Sequence, residues 1–196
     1  MIALDGSETH EVVSRKPALG VGINTCEFSP HDGRSLLCSY VKDRFSQLFI
    51  LDLPSGRERQ LTTSRSDKYE GRWSPDGNWI VFPSNTGGSL QVWIVSAQGG
   101  EERQLTSGDE RMRHVFYSPD GRWIYVQPSH RNIYRLPAEG GQLRPVTNFP
   151  ESGLFIEEPT ISPDGRFLVY SRSRGGSSLW LLTLGTMRAL SSDRAP

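Results

Sequence analysis

The sequence predicts an all-β chain: a β-propeller of four-stranded antiparallel blades, about four blades plus an N-terminal half blade, in an open or incomplete ring. Three observations predict it. A block of about 44 residues occurs four times. The composition is turn-rich, with 20 glycines and 13 prolines in 196 residues, well above the roughly 12% of average usage. No stretch sustains helical periodicity.

The repeat is carried by three landmarks in constant order. The first is Ser29-Pro30-His31-Asp32-Gly33-Arg34, which returns at Ser74-Pro75-Asp76-Gly77, Ser118-Pro119-Asp120-Gly121 and Ser162-Pro163-Asp164-Gly165. The serines are spaced 45, 44 and 44 residues apart, and the extra residue in the first interval is His31. The second landmark is Leu48-Phe49-Ile50, matched by Val92-Trp93-Ile94, Ile133-Tyr134-Arg135 and Leu179-Trp180-Leu181. The third is Arg59-Gln60-Leu61-Thr62, matched by Arg103-Gln104-Leu105-Thr106, Arg144-Pro145-Val146-Thr147 and Arg188-Ala189-Leu190-Ser191.

In order along the chain, residues 1–22 read as the outer half of a preceding blade and a linker, because Ile2 to Val13 aligns with Ile94 to Leu105. Blades follow at 23–63, 64–107, 108–148 and 149–191, with a tail at 192–196, all in one domain of 1–196. The second blade shows the logic. Strand a runs from about Tyr69 to Trp73 and ends at the Ser-Pro-Asp-Gly turn. There Pro75 pre-sets φ, Asp76 bonds its own backbone and Gly77 accepts positive φ. Strand b is Trp79 to Phe82. Strand c, Leu90 to Val95, is β-branched and aromatic. Strand d is short and ends near Leu105-Thr106. A lone sheet of this size leaves both faces bare, and radial stacking covers them. Phe28, Trp73, Tyr117 and Ile161, with Phe49, Trp93, Tyr134 and Trp180, read as inter-blade core. The third unit has a shorter b–c loop, since Ser118 to Tyr134 is 16 residues against 19 from Ser74 to Trp93. The longer linker after it, around Phe149 to Phe155, reads as a loop folded back on the sheet rather than a contact loop. In the last unit, Met187 to Leu190 reads as strand d.

Composition excludes several function classes. With 22 basic and 22 acidic residues the formal charge is zero, so no excess is available to hold a phosphate backbone, and no nucleic acid is expected. The basic accent of Arg111, Arg113, Arg131 and Arg135 does not change this. No apolar run approaches the roughly 20 residues of a membrane span, so direct membrane insertion is not expected. Met1 to Gly6 does not read as a secretory signal. Cys26 and Cys38 lie symmetrically about Asp32 and would face each other if a hairpin turned there. The favoured reading is nevertheless two partly buried free thiols, because few cross-strand pairs meet disulfide geometry.

At the pattern aromatic-Ser-Pro-Asp-Gly-Arg-Trp-Ile, then Ile-Trp, then Gly-Gly-Glu-x-Arg-Gln-Leu-Thr, the chain resembles the TolB-type (WD-like) β-propeller repeat over about residues 23 to 191. The resemblance implies a closed ring of about six blades, so four units read as a partial propeller. It implies a non-catalytic binding or scaffold module for a protein or peptide partner. Similar repeats also form the accessory propellers of prolyl-oligopeptidase-like peptidases and of serine/threonine kinases, which is the alternative. For a longer precursor the resemblance implies the periplasm or cell envelope. Open propeller ends would offer surfaces for self-association.

Catalytic chemistry finds no support in the motifs. The chain has no Gly-x-Ser-x-Gly elbow, no phosphate loop and no kinase catalytic loop. His10, His31, His114 and His130 lack metal-ligand spacing, so neither a metal nor a cofactor is expected. Asp32, Asp76, Asp120 and Asp164 are turn residues. The remaining candidates are the variable, mostly polar positions at the start of each strand a, near the central channel. Thr25, Glu70, His114 and Glu158 stand four residues before each turn serine, and Glu27, Arg72, Phe116 and Thr160 two later. Of these, Glu70, Arg72, His114 and Glu158 are the candidates to hold a peptide or charged ligand. The simpler reading is a solvated channel wall.

Overall fold

A computed structural model describes residues 23–128, 130–150, 155–173 and 177–184. They form four antiparallel sheets in chain order, with no helix among the described residues. The first sheet is β1 (Ile23–Phe28), β2 (Ser35–Lys42), β3 (Phe45–Asp52) and β4 (Arg57–Gln60). The second is β5 (Arg72–Trp73), β6 (Trp79–Ser84), β7 (Gln91–Ser96) and β8 (Arg103–Gln104). The third is β9 (Met112–Tyr117), β10 (Trp123–Pro128), β11 (Tyr134–Pro137) and β12 (Arg144–Pro145). The fourth is β13 (Phe155–Ile161), β14 (Phe167–Ser173) and β15 (Ser177–Thr183). Each sheet is an up-and-down meander, as the repeat predicts. The half blade expected at residues 2–13 and the last strand expected at Met187 to Leu190 lie outside the described residues.

The Ser-Pro-Asp-Gly turn folds the same way in the second, third and fourth sheets. In the third, the Ser118 hydroxyl donates to Asp120 at 2.5 Å and accepts the Trp123 amide at 3.0 Å. Asp120 accepts the Arg122 amide at 3.1 Å, and the Gly121 amide returns to Ser118 O at 2.9 Å. Gly121 has φ +71°, a value that glycine adopts without strain. Successive turns also touch. A Cβ on Gly77 would stand 2.6 Å from His31 Cβ, and one on Gly121 would meet Pro75 at 3.7 Å.

A second device explains the Arg-Gln-Leu-Thr landmark. Buried Thr62, Thr106 and Thr147 accept the strand-c amides of Leu48, Val92 and Ile133 at 2.9–3.0 Å. Each hydroxyl then donates to a side-chain carbonyl, of Gln47, Gln91 or Asn132. Gln47 and Gln91 donate onward to carbonyls of the linker to the next sheet. In the first linker Lys68 is fully buried, with Nζ donating to the carbonyls of Ser64 and Ser66 at 2.6 and 2.8 Å. Glu102 lies 3.7 Å away.

Hydrophobic cores lie between sheets. Leu37, Leu48 and Leu61 pack on Trp73, Ile80 and Phe82. Val81 and Val92 pack on Val115, Tyr117 and Ile124. Tyr125 and Ile133 pack on Ile156, Leu168 and Tyr170. No core cluster joins the fourth sheet to the first among the described residues. Two members of the aromatic series are nevertheless exposed, one in the first sheet and one in the fourth. Phe28 is 54% exposed, while Phe49 in the same sheet is buried against Cys38 and Tyr40. Trp180 is 44% exposed. It faces the third sheet, whose outer strands β11 and β12 are only four and two residues long. Phe149 does fold back, packing on the third core and standing 6.1 Å from the Tyr170 ring.

The cysteines correct the free-thiol expectation. Cys26 and Cys38 form a disulfide. The hairpin at the first turn places Cys26 directly opposite Cys38 in the β1–β2 register, with their Cα atoms 4.2 Å apart. This is the close approach found in antiparallel pairs that exchange no backbone hydrogen bonds.

Candidate functional site

The site grows from a defect shared by the innermost strands. Residues four before the turn serine take left-handed backbone in three sheets: Glu70 at φ 32°, His114 at 45° and Glu158 at 50°. Such values are uncommon for non-glycine residues and concentrate at functional sites. They accompany interruptions of the inner ladder. The register of β13 on β14 shifts between Glu157 and Thr160, and that of β9 on β10 shifts opposite Tyr125 and Gln127. β5 is reduced to two residues by the same break, and Lys68 and Ser84 resume the pairing as an isolated bridge. Bulges of this kind re-aim side chains.

The re-aimed side chains meet. A cavity of about 340 Å³ is lined by Glu27 from the first sheet, Arg72 from the second, His114 and Phe116 from the third, and Glu158 and Thr160 from the fourth. Of the four residues expected at the channel, Arg72, His114 and Glu158 share this cavity. Glu70 lines a neighbouring depression of about 180 Å³ with Tyr69, Arg111 and Arg113, and His114 belongs to both.

Charge is only partly balanced within the cavity. Arg72 Nη1 is 3.9 Å from Glu27 Oε1, with both side chains more than a third exposed. The Trp73 amide donates to Glu27 Oε2 at 3.2 Å. Burial pushes the Glu27 carboxyl up, while Arg72 and the Trp73 amide pull it back. His114 stands edge-on to His130, with ring centroids 6.1 Å apart. Burial holds the His130 imidazole below its usual value, and Arg113 and His114 push the same way against Glu157. His130 Nδ1 is buried without a hydrogen-bond partner.

His130 and Glu27 were not among the four expected residues. Glu27 was visible only as one of the equivalent inner-strand positions. His130 is brought in by the turn after β10, which no spacing signalled. No cluster of metal-ligating side chains occurs among the described residues, nor does any helix there have the length and apolarity to cross a membrane. The arrangement offers mixed charges and the His114 imidazole on the cavity wall, with His130 edge-on to it, suited to polar recognition of a ligand.

Comparison with known proteins fits this architecture. An uncharacterized protein of Agrobacterium fabrum is 34% identical over 62 residues, which is 32% of this chain and 21% of that protein. An uncharacterized peptidase of Bacillus subtilis is 29% identical over 83 residues, 42% of this chain and 11% of that protein. The matched stretches thus span 21% and 11% of these relatives' lengths. Among solved structures, a putative TolB from Agrobacterium tumefaciens superposes with a TM-score of 0.66 at 25% identity, covering 81% of this chain and 62% of that one. An oligogalacturonate lyase from Vibrio parahaemolyticus superposes with a TM-score of 0.72 at 17% identity, covering 93% and 55%, so related folds also occur in enzymes. The description "TolB beta propeller domain" fits residues 6–190, and the chain belongs to that family.

Proposed function

We propose that this chain is a non-catalytic propeller module, a single domain over 1–196, that binds a protein or peptide segment at the channel mouth. One observation carries the reading: Glu27, Arg72, His114 and Glu158, contributed by four successive sheets, line a single cavity. Two of them are held there in left-handed backbone. A solvated wall has no need of that strain, whereas a recognition site benefits from fixed side chains. Arg72 and Glu158 supply opposite charges for a polar segment, and Phe116 supplies an aromatic surface. The Cys26–Cys38 disulfide accords with an oxidising compartment such as the periplasm or cell envelope.

The test is site-specific photocrosslinking in the native cell. A benzophenone side chain at Thr160, on the cavity wall, is expected to yield a discrete adduct. The same group at exposed Ser55 is expected to yield none, and Arg72→Glu is expected to suppress the Thr160 adduct. Equal labelling from both positions, or no adduct at Thr160, removes the reading.

A second reading is favoured by the match to the Bacillus subtilis peptidase: an accessory propeller of a larger peptidase, gating its substrate. It requires a catalytic domain encoded in the same reading frame or beside it, and a genomic neighbourhood without one removes it. A propeller attached to a serine/threonine kinase makes the same demand.

A further inference from the structure

The repeat exposes one irregular position. The third residue of the strand-c landmark points toward the next sheet and is aliphatic in three units, Ile50, Ile94 and Leu181, but is Arg135 in the third. Its cross-strand partner differs as well. Ile50 pairs with Leu37, Ile94 with Val81 and Leu181 with Val169, whereas Arg135 pairs with Tyr125. The interface between the third and fourth sheets has thus exchanged an aliphatic pair for tyrosine and arginine. Departures from an otherwise consistent pattern are expected at functional sites.

The exchange accompanies a groove of about 660 Å³ between these sheets, lined by Trp123, Tyr125, Arg135, Ile161 and Leu184 and rimmed by the two Ser-Pro-Asp-Gly turns. The guanidinium of Arg135 lies 4.3 Å from the centre of the Trp123 ring. A guanidinium over an aromatic face keeps its in-plane N–H donors free for a carboxylate, and Arg135 is among the residues that line the groove. The rim aspartates are already satisfied. Asp120 bonds Arg122 at 2.7 Å and Asp164 bonds Arg166 at 2.6 Å, and each also accepts a turn amide and a serine hydroxyl. Beyond its contact with Trp123, the Arg135 side chain has no hydrogen bond or ion pair among the described residues, so among them it is the groove cation without a carboxylate partner.

We propose that this groove binds an acidic peptide, with a carboxylate on Arg135 and its aliphatic neighbours on Ile161 and Leu184. A planar guanidinium fixed on an aromatic face receives a carboxylate through two parallel N–H donors with little ordering cost. The groove's volume lies within the ordinary range for ligand sites. The proposal is independent of the channel reading, because none of the groove residues lines the channel cavity except Ile161 at its edge.

The probes are acetyl-Leu-Glu-Leu-amide and its Gln counterpart, titrated by calorimetry at low salt. The Glu peptide is expected to bind at least tenfold more tightly than the Gln peptide. Arg135→Ile installs the residue that two other units carry, so the fold should survive, as an unchanged or raised thermal midpoint will report. In that variant the preference is expected to vanish. Arg72→Ala, in the channel, is expected to keep it. The proposal is overturned if the two peptides bind wild-type protein equally, if neither binds at millimolar concentration, or if the preference persists in Arg135→Ile. Loss of the preference in Arg72→Ala with its retention in Arg135→Ile would move the site to the channel.

Discussion

Four aspartates, one per turn, have carboxyls held below the ordinary range. Asp120 and Asp164 fall to about 2, mainly through the hydroxyls of Ser118 and Ser162. Asp76 is lowered chiefly by Ser74, and Asp32 chiefly by the Arg34 amide. A carboxyl depressed by folding adds stability above its unfolded pKa and loses it as pH falls through the folded value. The window here runs from pH about 4 down to about 2. Glu27 has the opposite sign, because burial raises it and its cost grows as pH rises. Asp120→Asn should therefore lower stability at neutral pH by about 0.5–1 kcal/mol, given the solvent screening of an exposed side chain. It should also flatten the decline between pH 4 and 2. Urea midpoints across that range will read both effects. The turn role of these residues was legible because four copies share it. In the second, third and fourth turns the low carboxyl pKa depends chiefly on the serine two positions earlier, and repetition marks that residue too.

At the scale of the element, the threonine that ends each of the first three blades is a clamp. Thr106 satisfies the Val92 amide and the Gln91 carboxamide together, in a buried site. Thr106→Val keeps the shape and strands both partners, which should cost about 1–3 kcal/mol. Thr106→Ser retains the hydroxyl and should cost less, as thermal midpoints of the two variants will show. Repetition revealed the threonine but not its purpose, because Gln91 stands 15 residues earlier and meets it only after β7 and β8 pair. The inner strands illustrate a similar limit. Tyr69 to Trp73 was expected as one strand, yet β5 holds only Arg72 and Trp73, since Glu70 turns left-handed. Gly71 is the one residue of Tyr-Glu-Gly-Arg-Trp that hints at a break, but it does not tell that Arg72 lines the cavity while Glu70 lines the neighbouring depression. The disulfide was legible as geometry, from the symmetry of Cys26 and Cys38 about Asp32. The general rarity of suitable pairs outweighed that local signal.

Across the whole molecule, each sheet is stabilised by its neighbours in chain order. Phe82 is fully buried in the core shared by the first and second sheets, while Leu168 is fully buried in the core shared by the third and fourth. Among the described residues no cluster spans the array. Stability in such a stack approximates a sum of unit and nearest-neighbour contributions, so damage should remain local at first. Phe82→Ala removes a large buried ring and should cost about 3–5 kcal/mol. Native-state hydrogen exchange should then show protection lost in β3, β6 and β7, which face that core, and retained in β14, two interfaces away. A uniform loss in all four sheets would mean that the array unfolds as one unit. In that case the channel residues, drawn from four successive sheets, would share a single stability. If the loss is local, the Arg135 groove can remain formed while the first two sheets open. Acidic-peptide binding by Phe82→Ala, measured at a temperature where β6 exchanges freely, should then match wild type.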